Sequence, residues 1–256
     1  MKAVILAGGL GSRLSEETDV RPKPMVEVGG YPLLWHIMRN YAHQGITEFI
    51  VALGYKGEMI KRYFIDYVAL SGNLRVGLRD GSISPDHSER EDWIVNLVDT
   101  GLASNTGGRV GRLAPWLGRE TFLLTYGDGV ADVDIQALIA FHRRQGKLAT
   151  ICAVRPPSRF GELEFRGEAE VVFSEKPQMG EGWINGGFMV LEPDVVDLVD
   201  GDDTSLEGDV LEELSRRGEL VAYRHEKFWQ CVDTLRELRY LRALWNEGNP
   251  PWATWE

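Results

Sequence analysis

A glycine-rich segment near the start of the chain has the residue types of a phosphate-binding loop. It directly follows the apolar run KAVIL and consists of Leu6, Ala7, Gly8, Gly9, Leu10, Gly11, Ser12 and Arg13. Glycines after a strand let backbone N–H groups approach an anion without interference from a Cβ atom. Arg13 adds a forked, charged donor that suits phosphate. The segment therefore predicts a cradle for a phosphate group.

Neither of the two common phosphate-binding motifs fits this segment well. The Walker motif ends in Gly-Lys-Ser/Thr, whereas this loop continues as Gly11-Ser12-Arg13. The dinucleotide fingerprint needs a third glycine where Leu14 stands, and an acidic residue at the end of a second strand. Glu27 has a suitable spacing but lies in a turn-like stretch. A tight structural turn is the alternative interpretation of these glycines.

Lys23 lies between Pro22 and Pro24, ten residues after the end of the glycine-rich segment. Because proline restricts the backbone, ordering this stretch costs little entropy and can aim the ammonium group. An exposed loop lysine is the ordinary interpretation of such a motif. Its position soon after a phosphate loop makes Lys23 a candidate second clamp.

Two aspartates follow runs of strand-like sequence. Asp128 follows TFLLTY and is flanked by Gly127 and Gly129, and Asp233 follows FWQCV. Ligands of open α/β sheets bind beyond the carboxyl ends of strands, and carboxylates are preferred oxygen donors to Mg²⁺. We therefore predict that Asp128 binds Mg²⁺. For Asp233, an N-cap of the following helix explains the sequence equally well.

The elements that must position these residues alternate between strands and helices over the first part of the chain. Hydrophobic periodicity predicts strands at 2–6, 48–53, 93–98, 121–126 and 148–154, and helices at 31–45, 55–70, 107–117 and 133–145. Asp132 and Asp134 fit the N-terminus of the last of these helices. The alternation indicates an α/β fold with a mainly parallel sheet covered by helices.

Short strands are more frequent after about residue 155. Strands are predicted at 161–165, 170–173, 183–191 and 220–224, and helices at 193–199, 206–217 and 233–245. The polar stretch 79–92 reads as a surface hairpin or a flexible insert. We expect one domain over 1–256, with 1–155 and 156–256 as its two functional parts.

The composition excludes several classes of function. The formal net charge of −11 argues against a protein that binds nucleic acid through its phosphates. Cys152 and Cys231 lack metal-ligand spacing and predict buried thiols in a reducing compartment. There is no apolar run of membrane-spanning length and no signal peptide pattern, so a cytoplasmic location is expected. His36, His43 and His142 fall on predicted amphipathic helices and predict structural or solvated side chains.

Taken in order, LAGGLGSRL, RPKPM, YGDG, EKP and NGG resemble the motifs of the sugar-1-phosphate nucleotidyltransferases. The resemblance implies a Rossmann-like nucleotidyltransferase fold: a mainly parallel mixed sheet flanked by helices, with a smaller β-rich sugar-binding part. It also implies Mg²⁺ as cofactor, release of pyrophosphate and a homo-oligomer. The part over 1–155 would bind the nucleotide, and the part over 156–256 the sugar phosphate.

Longer segments are similar to the branch of this family that uses CTP and glucose 1-phosphate. They are VDTGLASNTGGR, LLTYGDGVADVDI, RFGELEF, WINGGF, FWQCVDTLRE and PWATWE. This branch implies a role in deoxysugar and O-antigen-type polysaccharide biosynthesis. Only the resemblance favours cytosine, so transfer from dTTP, UTP or GTP stays open, as does a non-catalytic nucleotide sensor. Where the family pattern leads us to expect a tryptophan, this chain has Leu206.

The resemblance also implies roles for single residues. Besides the loop Leu6–Arg13, the positions that match nucleotide contacts are Lys23, Ser104, Arg109 and Gly127. The two positions that match Mg²⁺ ligands are Asp128 and Asp233. Those that match the sugar phosphate site are Gly161, Glu175, Lys176, Asn185 and Gly186. The residues expected to carry the chemistry are Arg13, Lys23, Asp128, Lys176 and Asp233.

Overall fold

The computed structural model of the chain describes residues 1–11, 14–70, 73–86, 91–156, 162–166, 170–174 and 182–255. The strands are β1 (Ala3–Leu6), β2 (Glu27–Val28), β3 (Tyr31–Pro32), β4 (Glu48–Leu53), β5 (Asn73–Gly77), β6 (Ser82–Asp86), β7 (Ile94–Asp99), β8 (Phe122–Tyr126), β9 (Gly129–Ala131), β10 (Ala149–Val154), β11 (Glu162–Arg166), β12 (Glu170–Ser174), β13 (Ile184–Leu191), β14 (Leu220–His225) and β15 (Trp229–Cys231). The helices are α1 (Ser15–Thr18), α2 (Leu33–His43), α3 (Gly57–Leu70), α4 (Thr106–Arg112), α5 (Ala114–Leu117), α6 (Ile135–Gln145), α7 (Glu212–Arg216) and α8 (Leu235–Asn246).

A seven-stranded sheet forms the centre of the fold, in the order β14-β10-β13-β8-β1-β4-β7. β1 is parallel to β4 and β8, β4 to β7, and β10 to β14. β13 is antiparallel to both of its neighbours. The predicted α/β class with a mainly parallel sheet is therefore confirmed. Strands from both parts of the chain join in this one sheet, and all of its strands except β13 end at the same edge.

Both faces of the sheet are covered, as the strand β1 shows. Ala3 and Ile5 belong to a core cluster that includes residues of α2 and α8. Val4 and Leu6 belong to a second cluster, on the other face, that includes residues of α4 and α7. Alternate side chains of a strand point to opposite faces, so a continuous apolar run is expected for a strand buried on both sides.

Three predicted helices differ in detail from the structure. The stretch predicted as a helix over 193–199 forms a 3₁₀ helix, Pro193–Leu198. The stretch predicted as one helix over 107–117 forms α4 and α5, which meet at Leu113. Pro115 lies in the first turn of α5, where its missing N–H is tolerated, whereas within a longer helix it would remove a hydrogen bond. The stretch 206–217 begins as a wide π-type turn, Leu206–Leu211, before α7. The stretch 79–92 was predicted as a surface hairpin or a flexible insert. Its residues 79–86 belong to a hairpin of β5 and β6 that begins at Asn73, and 87–90 lie outside the described residues.

Cys152 is buried, whereas Cys231 is half-buried. Neither takes part in a disulfide. Burial raises the pKa of Cys152 and of Cys231 to about 12. Both thiols are therefore protonated at neutral pH and have little nucleophilic character. Among the described helices, none combines the length and the apolar character that crossing a bilayer requires.

The C-terminal tryptophans pack around a buried histidine of α2. The ring of His36 lies 4.9 Å from Trp245 and 6.0 Å from Trp252, both edge to face. Its Nε2 lies 2.9 Å from the carbonyl oxygen of Val28, and its Nδ1 faces the indole N–H of Trp252. A second proton on this ring would point at a donor, so the geometry favours neutral imidazole.

Acid should destabilise the fold through His36. Burial lowers the pKa of His36 to about 4, whereas the pKa of a histidine in an unfolded chain is about 6.5. As the pH falls from about 6.5 to about 4, the unfolded chain binds a proton that the folded chain does not. The free energy of unfolding then decreases by up to about 3 kcal/mol. We expect the urea midpoint of the wild type to fall more steeply over this range than that of His36→Gln.

The matched control is His43→Gln, because His43 is exposed on the same helix. This variant should keep the wild-type slope. Equal slopes for the wild type and His36→Gln would contradict the assignment.

Candidate active site

A cleft of about 400 Å³ opens at the carboxyl edge of β1 and β8. It gathers residues from the glycine-rich segment, the Lys23 turn, the start of α4, the end of β8 and the stretch after β15. The lining consists of Leu6, Ala7, Gly8, Gly9, Gly11, Lys23, Pro24, Ser104, Asn105, Thr106, Arg109, Tyr126, Gly127, Asp128 and Asp233. Most of the predicted nucleotide and metal positions thus face one space. Leu10 is 61% exposed and does not line the cleft. Ser12 and Arg13 lie outside the described residues.

Lys23 joins the two predicted metal-binding aspartates. Its Nζ donates to Asp128 Oδ2 at 2.8 Å and to Asp233 Oδ1 at 2.6 Å. The exposed fractions of these side chains are only 11% for Lys23, 34% for Asp128 and 18% for Asp233. Burial lowers the pKa of Lys23, but Asp128 and Asp233 outweigh this effect and raise it above its ordinary value. The Lys23 ammonium group therefore stays protonated beside the two carboxylates.

Tight packing at the end of β8 brings Lys23 to Asp128. The N–H of Gly127 donates to the Leu6 carbonyl oxygen at 3.0 Å. A Cβ atom at Gly127 would lie 2.8 Å from Pro24 Cγ and 3.1 Å from that oxygen. Only glycine allows this approach, because real Cβ atoms do not come so close to other heavy atoms. The proline-flanked turn, with Pro24 buried, then directs Lys23 towards the cleft.

A two-stranded ladder brings Asp233 beside Asp128. β15 pairs with β9 in antiparallel register, with Cys231 opposite Gly129. The ladder continues through a hydrogen bond of 2.8 Å from the Val232 N–H to the Asp128 carbonyl oxygen. Each aspartate lies two residues after its strand, β8 or β15, so this pairing places them side by side although they are far apart in sequence.

The N-cap explanation that the sequence allowed for Asp233 is wrong. The N-cap of α8 is Thr234, whose side chain accepts from the Glu237 N–H. The Glu237 carboxylate in turn accepts from the backbone N–H groups of Asp233 and Thr234, at 2.7 and 2.8 Å. This capping box satisfies the start of the helix without the Asp233 carboxylate, which accepts from Lys23 instead.

Asp132 and Asp134, both predicted at a helix N-terminus, have different roles. Asp134 is the N-cap of α6 and accepts from the Ala137 N–H at 2.8 Å, as predicted. Asp132 instead lies 3.0 Å from Nε2 of His225. Neither residue is part of the described cleft lining.

Arg109 fastens the glycine-rich segment to its neighbours. Only 5% of this residue is exposed. Its guanidinium donates to the carbonyl oxygens of Gly8 (3.0 Å), Leu53 (3.2 Å) and Gly101 (2.7 Å), and to Thr100 Oγ1 (2.8 Å). These oxygens belong to the segment after β1 and to the ends of β4 and β7. Arg109 therefore lines the cleft and holds the glycine-rich segment in place through hydrogen bonds to the protein itself.

The start of α4 forms one wall of the cleft. Ser104 is buried and donates to the Thr100 carbonyl oxygen at 2.6 Å. Asn105 caps the helix by accepting from the Thr106 N–H at 2.8 Å. Thr106 Oγ1 donates to Glu207 Oε2 at 2.6 Å. The wall is thus tied to the segment that follows residue 200.

Sequence reasoning missed Tyr126, Thr106 and Glu207. The Tyr126 hydroxyl donates to Glu207 Oε1, so one carboxylate holds two residues of the cleft lining. Burial raises the pKa of Tyr126, and the negative charge of Glu207 raises it further, so the phenol stays protonated. Tyr126 could have been found as the last strand residue before Asp128. No local signal marks Glu207, because its partners lie far away in the chain.

The structure describes only some of the residues that are predicted to bind the sugar phosphate. Asn185 and Gly186 lie in β13 and not in the described cleft lining. The indole N–H of Trp229 donates to the Gly186 carbonyl oxygen at 2.8 Å. Gly161, Glu175 and Lys176 lie outside the described residues, so their roles stay predictions. Leu206, which stands in place of an expected tryptophan, is completely buried in the second core cluster.

Comparison with known proteins agrees with the motifs. A family model described as nucleotidyl transferase matches residues 2–244. A glucose-1-phosphate cytidylyltransferase of Salmonella typhimurium is 52% identical to this chain, with 100% of both chains covered. A probable glucose-1-phosphate cytidylyltransferase of Bacillus subtilis is 42% identical with the same coverage. The crystal structure of HddC from Yersinia pseudotuberculosis superposes with a TM-score of 0.71 at 23% identity, covering 95% of this chain and 99% of that one. This last likeness shows a shared fold.

Substitutions at the adjacent residues Gly8 and Gly9 test whether Arg109 holds the glycine-rich segment in place. A Cβ atom at Gly8 would lie 2.3 Å from Arg109 Nη1, whereas nothing lies within 4 Å of a Cβ atom at Gly9. Relieving the contact at Gly8 means moving a guanidinium that several hydrogen bonds hold. Gly8→Ala should therefore lower the free energy of unfolding by about 1–3 kcal/mol. Gly9→Ala should change it by less than about 0.5 kcal/mol. Urea unfolding measures both, and equal losses would show that Arg109 does not constrain the segment.

Proposed function

The chain belongs to the nucleotidyl transferase family, as its motifs predicted, and from this premise we propose its reaction. It transfers a cytidylyl group from CTP to α-D-glucose 1-phosphate, which gives CDP-glucose and pyrophosphate. The observation that carries the proposal is the meeting of Lys23, Asp128 and Asp233 beside a glycine-rich segment. Full-length identity of 52% to a glucose-1-phosphate cytidylyltransferase supports the choice of nucleotide and sugar.

The reaction needs no general base. A phosphate monoester is largely dianionic at neutral pH, because its second pKa is about 6. Its oxygen can attack the α-phosphorus of CTP in line, and the bond from that phosphorus to the bridging oxygen of pyrophosphate then breaks. The described cleft lining contains neither histidine nor cysteine. Catalysis therefore rests on positioning and on electrostatic stabilisation.

Asp128 and Asp233 are suited to hold the divalent cation. Their oxygens are hard donors of the kind Mg²⁺ prefers, and both already lie within hydrogen-bonding distance of one cationic nitrogen. Two carboxylates and one ammonium also leave a net negative charge at this point. When bound, Mg²⁺ would offset the negative charge of the reacting phosphates.

The remaining groups divide between the two substrates. Backbone N–H groups of the glycine-rich segment, with Arg13 and Lys23, stabilise the triphosphate and the leaving pyrophosphate. The start of α4 at Ser104 and the backbone at Gly127 border the same space. On the sugar side, Lys176 aims the phosphate and Glu175 accepts from sugar hydroxyls. Gly161, Asn185 and Gly186 form the wall of the sugar pocket.

A homo-oligomer also forms part of the proposal. Large apolar side chains are exposed on α3, on the β5–β6 hairpin and on the edge strand β7. They include Ile65 (67% exposed), Leu78 (95%), Ile83 (63%) and Ile94 (62%). Exposed apolar side chains and an edge strand are favourable places for contact with a second copy of the chain.

A panel of substrates tests the proposed reaction. CTP, dTTP, UTP and GTP are each paired with several sugar 1-phosphates in the presence of Mg²⁺, and pyrophosphate is measured. We expect the highest kcat/KM for CTP with glucose 1-phosphate. A preference for another pair would keep the class of reaction and change its substrates. No pyrophosphate from any pair would favour a nucleotide sensor.

Replacing Asp128 tests the metal site. Asp128→Asn removes a charge but almost no volume, so the fold should persist while kcat falls by at least about 100-fold. Asp134→Asn is the matched control, because asparagine caps a helix as well as aspartate does. Circular dichroism checks folding, and pyrophosphate release gives the rate. Near-normal activity of Asp128→Asn with Mg²⁺ would remove Asp128 from the mechanism.

A further inference from the structure

Lys56 has an unfavourable backbone conformation. Among the described residues it is the one non-glycine residue with positive φ, at 50°. A side chain with a Cβ atom is crowded in this region, and such residues persist where the surroundings require them. Lys56 ends the turn Gly54-Tyr55-Lys56 between β4 and α3. The residue type therefore needs an explanation other than the shape of the turn, which glycine would satisfy better.

The ammonium group of Lys56 contacts the end of α1. Its Nζ donates to the carbonyl oxygen of Asp19 at 2.6 Å and lies 3.3 Å from that of Thr18. The Tyr55 hydroxyl donates to the same Thr18 oxygen at 3.3 Å. The last carbonyls of a helix lack partners within the helix, and a cation there is favourable. Lys56 thus closes the C-terminus of the short helix that follows the glycine-rich segment.

Thr18 links the Lys56 ammonium group to the glycine-rich segment. Its hydroxyl is buried and donates towards the carbonyl oxygens of Gly11 (3.1 Å) and Leu14 (2.9 Å). At the other end of the segment, the Tyr55 N–H donates to the Gly8 carbonyl oxygen at 3.1 Å. The turn at 54–56 therefore holds the segment on both sides, directly at Gly8 and through Thr18 at Gly11.

We infer that Lys56 is a positioning residue for nucleotide binding, and that its strained backbone is retained because its ammonium group fixes α1 and, through Thr18, the glycine-rich segment. The inference rests on the proposed function for its kinetic consequence. It assigns to Lys56 no contact with substrate. Its effect should appear in nucleotide affinity and not in affinity for the sugar phosphate.

Two substitutions separate the backbone from the ammonium group. Lys56→Gly relieves the positive φ and removes the charge, so its thermal midpoint should lie above that of Lys56→Met. Lys56→Met removes the charge and keeps the strain, so its midpoint should be lower. Both should bind nucleotide about tenfold more weakly in calorimetry without sugar phosphate, because two carbonyl contacts of a charged donor are lost. The KM for the sugar phosphate should stay within about twofold. Lys61→Met is the control, because Lys61 is an exposed lysine of the helix that follows the turn, α3, and this variant should match the wild type.

Hydrogen exchange gives a readout that is independent of turnover. Amides in the stretch 14–21 should exchange faster in both Lys56 variants than in the wild type and in the Lys61 control. Wild-type exchange in this stretch, or wild-type nucleotide affinity in Lys56→Gly, would overturn the inference. A wild-type protein that does not turn over CTP would overturn the proposed function, and the exchange comparison would still decide the role of Lys56.

Discussion

Two carboxylates that approach one point in a partly buried cleft repel each other unless a cation lies between them. Here the cation comes from Lys23, which is 105 residues from Asp128 and 210 residues from Asp233 in the chain. Several features of the structure around the cleft bring these three side chains together. Gly127 lets the proline turn approach the end of β8, and the β9–β15 ladder brings the second aspartate alongside the first. The same negative surplus that holds the lysine suits a divalent metal, and a triphosphate would give the lysine new partners.

The sequence predicted the parts of the fold and the site that depend on local pattern. Apolar runs predicted β1, β4 and β8, because a strand that is buried on both faces is apolar at nearly every position. Asp128 was found because it follows such a run and is flanked by glycines. Lys23 was found because prolines restrict its backbone. These signals lie within a few residues of the group they identify.

The remaining features depend on contacts between distant segments, which no short pattern encodes. For Asp233, helix capping explained the sequence as well as metal binding did. The structure shows that Thr234 and Glu237 cap the helix instead. Arg109 matches a nucleotide contact of the family, and in the structure it lines the cleft while it donates to carbonyl oxygens of separate segments. Glu207 lies in no motif and is identified only by Thr106 and Tyr126. In each case the partners lie far away in the chain, so no short pattern identifies them.

The ladder between β9 and β15 has a consequence for the newly made protein. Chains emerge from the ribosome N-terminus first, and domains generally fold as units during or after synthesis. The first strands, the glycine-rich segment and Asp128 emerge well before β15. Because a domain folds as a unit, the contacts of Lys23 with the two aspartates form only after residue 233 has been synthesised. A chain that terminates before residue 233 would therefore lack the second carboxylate of the cleft.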